Sequence, residues 1–116
     1  MRRTAVIVDD HAAFRTAARA LLEAAGYRVV GEAADGRSAV EVVTGLRPDV
    51  VLLDVQLPDI DGFGVADLLP ADGPVIVLTS SRPASSFRRR LAANPALRFV
   101  AKGDLSGETL VEAVAG

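Results

Sequence analysis

The chain predicts a doubly wound α/β domain: (βα) five times over, a five-stranded parallel sheet between two helical layers, a three-layer sandwich. Two observations carry this. Apolar runs rich in Val, Ile and Leu (AVIV, VVLL, VIVL and FVA) recur without the polar alternation of a half-exposed strand, as strands covered on both faces do. Between them lie stretches with helical apolar spacing, closed by Gly or Pro. At 116 residues, with 50% hydrophobic and 24% charged, there is room for one core. The expectation is one domain over residues 1–116, with no internal repeat and no linker.

The first strand is read from about Thr4 to Val8. The helix after it places Phe14, Ala17, Ala18, Leu21, Leu22 and Ala25 on its inner face and Arg15, Arg19 and Glu23 on the outer, and Gly26 stops it. A second strand, Arg28 to Glu32, ends at Asp35-Gly36. A short helix marked by Ala39, Val40 and Val43 follows, closed by Gly45 and Pro48. The third strand is Val50 to Leu53. After the loop VQLPDIDG comes a third helix, Phe63 to Leu69, stopped by Pro70; the segment up to Val75 is short for a helix and its return. The fourth strand, Val75 to Leu78, leads through SSRP into a helix that turns Phe87 and Leu91 inward until Asn94-Pro95 breaks it. A fifth strand spans Arg98 to Ala101, and the last helix starts at the N-cap Ser106, with Leu110, Val111 and Val114 inward.

Right-handed crossovers favour the strand order 2-1-3-4-5, taken here by analogy with other five-stranded doubly wound sheets. Ligands of such sheets bind outside the carboxyl ends of the strands. Four strand endings would then meet: Asp9-Asp10, Asp54, Thr79 and Lys102.

A net charge of −2 gives no general attraction to nucleic acid or a membrane surface. The absence of cysteine excludes disulfides and thiolate metal sites and suits a reducing cytosol. MRRTAVIVDD meets two aspartates before a signal-peptide core can form, and no apolar stretch reaches bilayer length.

Three clustered carboxylates repel one another unless a cation neutralises them. Oxygen donors without a Cys or His pair suit Mg²⁺, with Mn²⁺ as a substitute. A carboxylate is also a nucleophile toward phosphorus. Phosphoryl transfer then needs positive charge around the equatorial oxygens, which a metal and the Lys102 ammonium supply from two sides, with Thr79 adding a hydroxyl donor.

Asp9-Asp10, Asp54-Val55-Gln56-Leu57-Pro58-Asp59-Ile60-Asp61-Gly62, Leu78-Thr79-Ser80 and Val100-Ala101-Lys102 together resemble the receiver domain of two-component response regulators, over essentially the whole chain. The resemblance implies the flavodoxin-like form of the fold. It implies that Asp54 is the phosphoacceptor, that Asp10 and Asp54 hold Mg²⁺ directly with the backbone carbonyl of Gln56, and that Asp9 orients a metal-bound water. Thr79, Lys102 and the Ser80 backbone would grip the phosphoryl oxygens, and Phe99 stands where the family carries its rotating aromatic switch. The implied partners are a sensor histidine kinase or phosphotransfer protein, with homodimerisation on phosphorylation and a readout face on helix 4, strand 5 and helix 5. The implied location is the cytoplasm, without membrane or direct nucleic-acid contact, and the only chemistry is the domain's own phosphotransfer and autodephosphorylation. Asp-Asp-His and GEAADG (Gly31 to Gly36) resemble the subfamily with a helix-turn-helix DNA-binding output, a domain not present in this chain. Gly103 follows Lys102 where many receivers place a cis-proline, and Phe99 lacks the hydroxyl of Tyr.

An Asp after an apolar run also serves as a turn or cap residue, Thr79 as a strand-end turn former and Lys102 as a surface charge. Their coincidence at four strand ends is what favours a site. His11 reads as an exposed or capping histidine, and Arg88-Arg89-Arg90 as a solvated run complementing a helix C-terminus rather than a docking patch. An aspartyl-phosphate phosphatase of the haloacid dehalogenase type needs an acid/base Asp where this chain has Gln56. Nucleotide binding needs a Gly-rich loop in place of Asp-Asp-His. The alternative is a receiver-fold interaction module regulated without phosphorylation; every site residue being present argues against it.

Overall fold

Residues alternate between the two faces of a strand, so runs apolar at every position need cover on both sides. The computed structural model, which describes residues 3–116, supplies it. Met1 and Arg2, part of the N-terminus read above for a leader, lie outside the described residues. Strands β1 (Thr4–Val8), β2 (Arg28–Ala33), β3 (Val50–Asp54), β4 (Val75–Ser80) and β5 (Arg98–Ala101) alternate with helices α1 (Ala12–Ala24), α2 (Gly36–Leu46), α3 (Gly62–Leu68), α4 (Arg88–Ala93) and α5 (Gly107–Ala115). All pairings are parallel, in the order β2-β1-β3-β4-β5.

Alternation splits the core in two. Val6, Val8, Val51, Leu53, Ile76 and Leu78 pack with Ala39 and Val43 of α2 and Phe63, Val65 and Ala66 of α3. Ala5, Ile7, Val50, Leu52 and Val77 pack with Ala18 and Leu22 of α1 and Leu110 and Val114 of α5. Each fully buried Leu, Ile or Val stabilises the fold by about 1.5–3 kcal/mol, so the central strands β1 and β3 make a rigid floor for their own carboxyl ends.

Gly26, at φ 96°, ends α1 as read, and Ser106 caps α5 in a reciprocal box with Thr109: Ser106 Oγ accepts from Thr109 N at 3.0 Å and Thr109 Oγ1 from Ser106 N at 2.9 Å. Five expectations are corrected. Val111, read as inward, is exposed, and only Leu110 and Val114 of α5 are buried. Gly45 does not close α2; the helix continues to Leu46 and the left-handed cap is Arg47, at φ 47°. The added residue lets Leu46 join Val42 in covering Gly31 of β2, where a Cβ would lie 2.8 Å from Leu46 and 3.1 Å from Val42. Ala17 is exposed, while Arg15 and Arg19 are partly buried because Glu32 of β2 draws both in, at 3.0 and 2.8 Å. The fourth helix is a 3₁₀ turn, Ala84–Phe87, followed by six α-helical residues, none buried. Arg88 and Arg89 open that helix and only Arg90 reaches its last turn, so complementing the helix C-terminus does not account for the run. Arg90 instead pairs with Asp61 at 2.8 Å and lies 4.1 Å over the Phe63 ring. As its length suggested, α3 is short, seven residues begun by the N-cap Asp61.

Candidate functional site

The sheet register sets the site. Asp54, the last residue of β3, is paired with Thr79 on β4, and Thr79 with Val100 on β5, two residues before Lys102. Asp9 follows β1 directly, its N–H donating to Ala33 O at 3.1 Å. Strands this close carry their end groups together, and Lys102 Nζ reaches Asp9 Oδ2 at 2.7 Å and Asp54 Oδ2 at 3.4 Å. Phe14 of α1 lies under the ammonium, 4.2 Å from ring centroid to Nζ.

Asp9 is fully buried, Asp54 nearly so, and Asp10 is open to solvent. Burial raises the Asp54 carboxyl, and the charge of Asp9 raises it further; Lys102 and the Gln56 amide, at 3.2 Å, offset this only in part, leaving it at about 6. For Asp9, burial acts in the same direction but is outweighed by hydrogen bonds from Lys102 and, at 2.8 Å, from the His11 amide, so it stays below the ordinary carboxylate range. Burial likewise lowers Lys102, yet its two carboxylate partners prevail and hold it above the usual lysine value. The ammonium is therefore fixed in its charged form between two acids.

Among the described residues, Thr79 Oγ1 is the one buried side-chain N or O atom without a hydrogen-bond partner. An orphaned buried hydroxyl costs about 1–3 kcal/mol, and here it stands in register with Asp54. The adjacent Ser80 is buried, its Oγ accepting from Arg82 N at 3.0 Å. Phe99 is partly buried and tilts against Phe87, centroids 5.8 Å apart; Phe87 meets Phe63 of α3 at 5.9 Å. Phe99 also lines a groove of about 420 Å³ with Pro83, Ala84, Asp104 and Thr109.

One oxygen each from Asp9 and Asp10 and a ring nitrogen of His11 lie within 4.8 Å of one another. Asp54 points instead toward Lys102 and Gln56 N. His11 is exposed, as read, but begins α1 without a side-chain cap; its Nδ1 sits 3.2 Å from Asp9 and 3.0 Å from Asp10. A mainly carboxylate donor set, and an acid raised by burial and by a facing carboxylate that Lys102 offsets only in part, fit a hard divalent cation.

Sequence reasoning missed three contributors. Phe14 reads only as an apolar helix position. Arg15, assigned to the outer face, donates from a guanidinium nitrogen to the Asp9 carbonyl at 2.6 Å. Asp59 lies in the loop after Asp54, yet its carboxylate accepts from Gly36 N at 2.7 Å and Arg37 N at 3.0 Å. None carries a sequence signal beyond its residue type.

Residues 5–115 match the family model described as the response regulator receiver domain. The chain belongs to that family. The receiver is 42% identical over 113 residues to a transcriptional regulator of Pseudomonas aeruginosa, covering 95% of this chain and 54% of that protein. It is 36% identical over 105 residues to the virulence-factor transcription regulator BvgA of Bordetella pertussis, covering 88% of this chain and 50% of that one. The receiver thus spans about half the length of these relatives. Among solved structures it is similar to a LuxR-family two-component response regulator from Aurantimonas, with TM-score 0.85, 30% identity and coverage of 99% and 84% of the two chains. The response regulator domain of Thermotoga maritima CheB, at TM-score 0.83 and 24% identity, covering 99% and 95%, shares the fold. No helix among the described residues is long and apolar enough to cross a membrane.

Proposed function

We propose that this receiver is a phosphorylation-controlled switch in which Asp54 accepts a phosphoryl group from a phosphohistidine of a sensor kinase or phosphotransfer protein. The observation that carries the reading is the buried, unpartnered Thr79 hydroxyl in register with an aspartate that Lys102 already touches. At neutral pH an acid titrating at about 6 is mostly carboxylate, so the nucleophile is in its reactive form.

An Asp54 oxygen bonds to phosphorus, the bond from phosphorus to the donor imidazole nitrogen breaks, and the imidazole leaves with its electron pair to take a proton from water. Lys102 brings fixed positive charge to the transferring oxygens, and Thr79 supplies the donor that has no partner at rest. Asp10, Asp54 and the Gln56 carbonyl would hold Mg²⁺, or Mn²⁺ in its place, with Asp9 ordering a bound water. The cation's contribution is to neutralise charge on the acids and on the phosphoryl oxygens. The product carries about −1.5 to −2 charges, enough to draw in Thr79 and Lys102 and shift Phe99 with the α4, β5 and α5 surface. Relatives of about twice the length that are named as transcription regulators support transcription as the output that this switch controls.

The test is incubation with acetyl phosphate and Mg²⁺, followed by intact mass and acid and base lability. The parent should gain one phosphoryl group that is labile to both acid and base, as an acyl phosphate is, and Asp54→Asn none. Uptake that persists in the variant moves the phosphorylated residue away from Asp54; no uptake by the parent leaves an interaction module regulated without phosphorylation.

A further inference from the structure

The loop between β3 and α3, residues 55–61, carries the Gln56 carbonyl, and its anchoring is unusual. At its ends Val55 N donates to Thr79 O at 2.9 Å, and Gly62 N returns to Val55 O at 2.8 Å. Gly62 packs so tightly there that a Cβ would lie 2.5 Å from the Asp54 carbonyl. Across 56–60 the described hydrogen bonds are fewer. Gln56 N reaches Asp54, and the Asp59 carboxylate straddles the start of α2, one oxygen on Gly36 N and the other on Arg37 N. The helix does not need Asp59 as its cap: Asp35 already accepts from Ser38 N at 2.8 Å. Asp59 takes the two N–H groups that Asp35 leaves. Gly36 is shaped for this, since a Cβ would strike the Ile60 side chain and lie 3.0 Å from the Ile60 carbonyl and 3.1 Å from Asp59 Oδ1.

Resting on the function proposed above, we infer that Asp59 is a positioning residue: by clipping the loop to the start of α2 it holds the Gln56 carbonyl where the cation needs it. Mg²⁺ demands near-ideal octahedral geometry, so a ligand on an unanchored loop binds it poorly. Partners that orient metal ligands typically cost about 10–100-fold in affinity or activity when lost. The two N–H donors hold the Asp59 carboxyl down at about 2, so the clip stays ionised and closed across the range in which Asp54 titrates.

The experiment measures Mg²⁺ affinity, and the acetyl phosphate reaction at saturating Mg²⁺, for the full chain and for Asp59→Ala, Asp59→Asn and Gly36→Ala, each confirmed folded by circular dichroism. Asp59→Ala should weaken Mg²⁺ about tenfold while the rate at saturation returns close to the parent's. Asp59→Asn, with one acceptor oxygen, should fall between. Gly36→Ala should reproduce the loss with every carboxylate intact, which distinguishes position from charge. A through-space effect of the Asp59 charge would fade at about 0.5 M salt; the positional effect persists there. Unchanged Mg²⁺ affinity in Asp59→Ala and Gly36→Ala, in a parent that binds Mg²⁺ and is phosphorylated, overturns the positioning role alone. A parent that does neither overturns the proposed function and this role with it.

Discussion

Replacing Asp54 by Asn should make the metal-free protein more stable. The carboxyl rises from an ordinary 3.8 to about 6, chiefly through burial and the facing Asp9 charge. At about 1.36 kcal/mol per tenfold change in proton affinity, holding the charge at neutral pH costs the fold about 3 kcal/mol. Asn keeps the shape, and its oxygen can still accept from Gln56 N, but it carries no charge. The gain should be about 1–3 kcal/mol at pH 7.5, or roughly 4–12 °C in Tm for a domain of this size. The sign follows from linkage. Between 3.8 and 6 the native state keeps a proton that the unfolded state has released, so the parent weakens as pH rises across that window and the penalty is complete above it. The advantage of Asn should therefore be largest at pH 7.5 and shrink on acidification to pH 5. Urea unfolding followed by far-UV circular dichroism, with chelator present, reads both. Adding Mg²⁺ should close the gap from the parent's side. Equal stabilities at pH 7.5, or a difference independent of pH, would refute the account of Asp54 as a strained acid.

Thr79→Val should stabilise the resting protein by about 1–2 kcal/mol in urea, since the hydroxyl it removes is buried without a partner, while blunting the amide shifts that beryllofluoride induces around Phe99. Lys102→Ala should move the Asp54 midpoint above about 6 in a carboxyl ¹³C titration, because the ammonium is the main group lowering it, and should slow acetyl phosphate uptake. Ser106→Ala, which breaks the α5 capping box, should cost about 1 kcal/mol in thermal unfolding with phosphorylation unchanged. Arg90→Ala should change stability by less than about 1 kcal/mol, its pair with Asp61 being exposed on both sides.

How legible each feature was in the sequence follows from what enforces it. Strands covered on both faces must be apolar throughout, so β1, β3 and β4 stood out and their ends located Asp9, Asp54 and Thr79. The apolar run of β4 stops at Leu78 with Thr79 as its ending and Ser80 reads as loop, because a polar side chain hides a strand whose main chain still pairs. Asp59 joins backbone donors more than twenty residues away, a contact with no periodicity to betray it. Arg15 has the spacing of an outer-face residue, and only Glu32 and the Asp9 carbonyl turn it in. The left-handed Arg47 was missed because Gly45 is the better cap by residue type, whereas packing of Val42 and Leu46 on Gly31 decides where α2 ends. Phe87 and Leu91 have helical spacing, but the first turn after Pro83 forms as a 3₁₀ turn and no residue of the segment is buried to hold a longer helix.

That short fourth helix divides the domain mechanically. Asp54 is mounted on β3, buried along its whole length, whereas residues 81–93, through the 3₁₀ turn and α4, include no buried side chain. Segments with so little apolar burial open at a small fraction of the global unfolding free energy, so amide hydrogens there should exchange long before those of β1 and β3. On the proposed function, the chemistry stands on the stiff half of the molecule and the report is made by the soft half, which the charge of one phosphoryl group is large enough to reshape. On that reading, a receiver with a longer, well-buried α4 would have the same floor under its acceptor and would say less about what happens there.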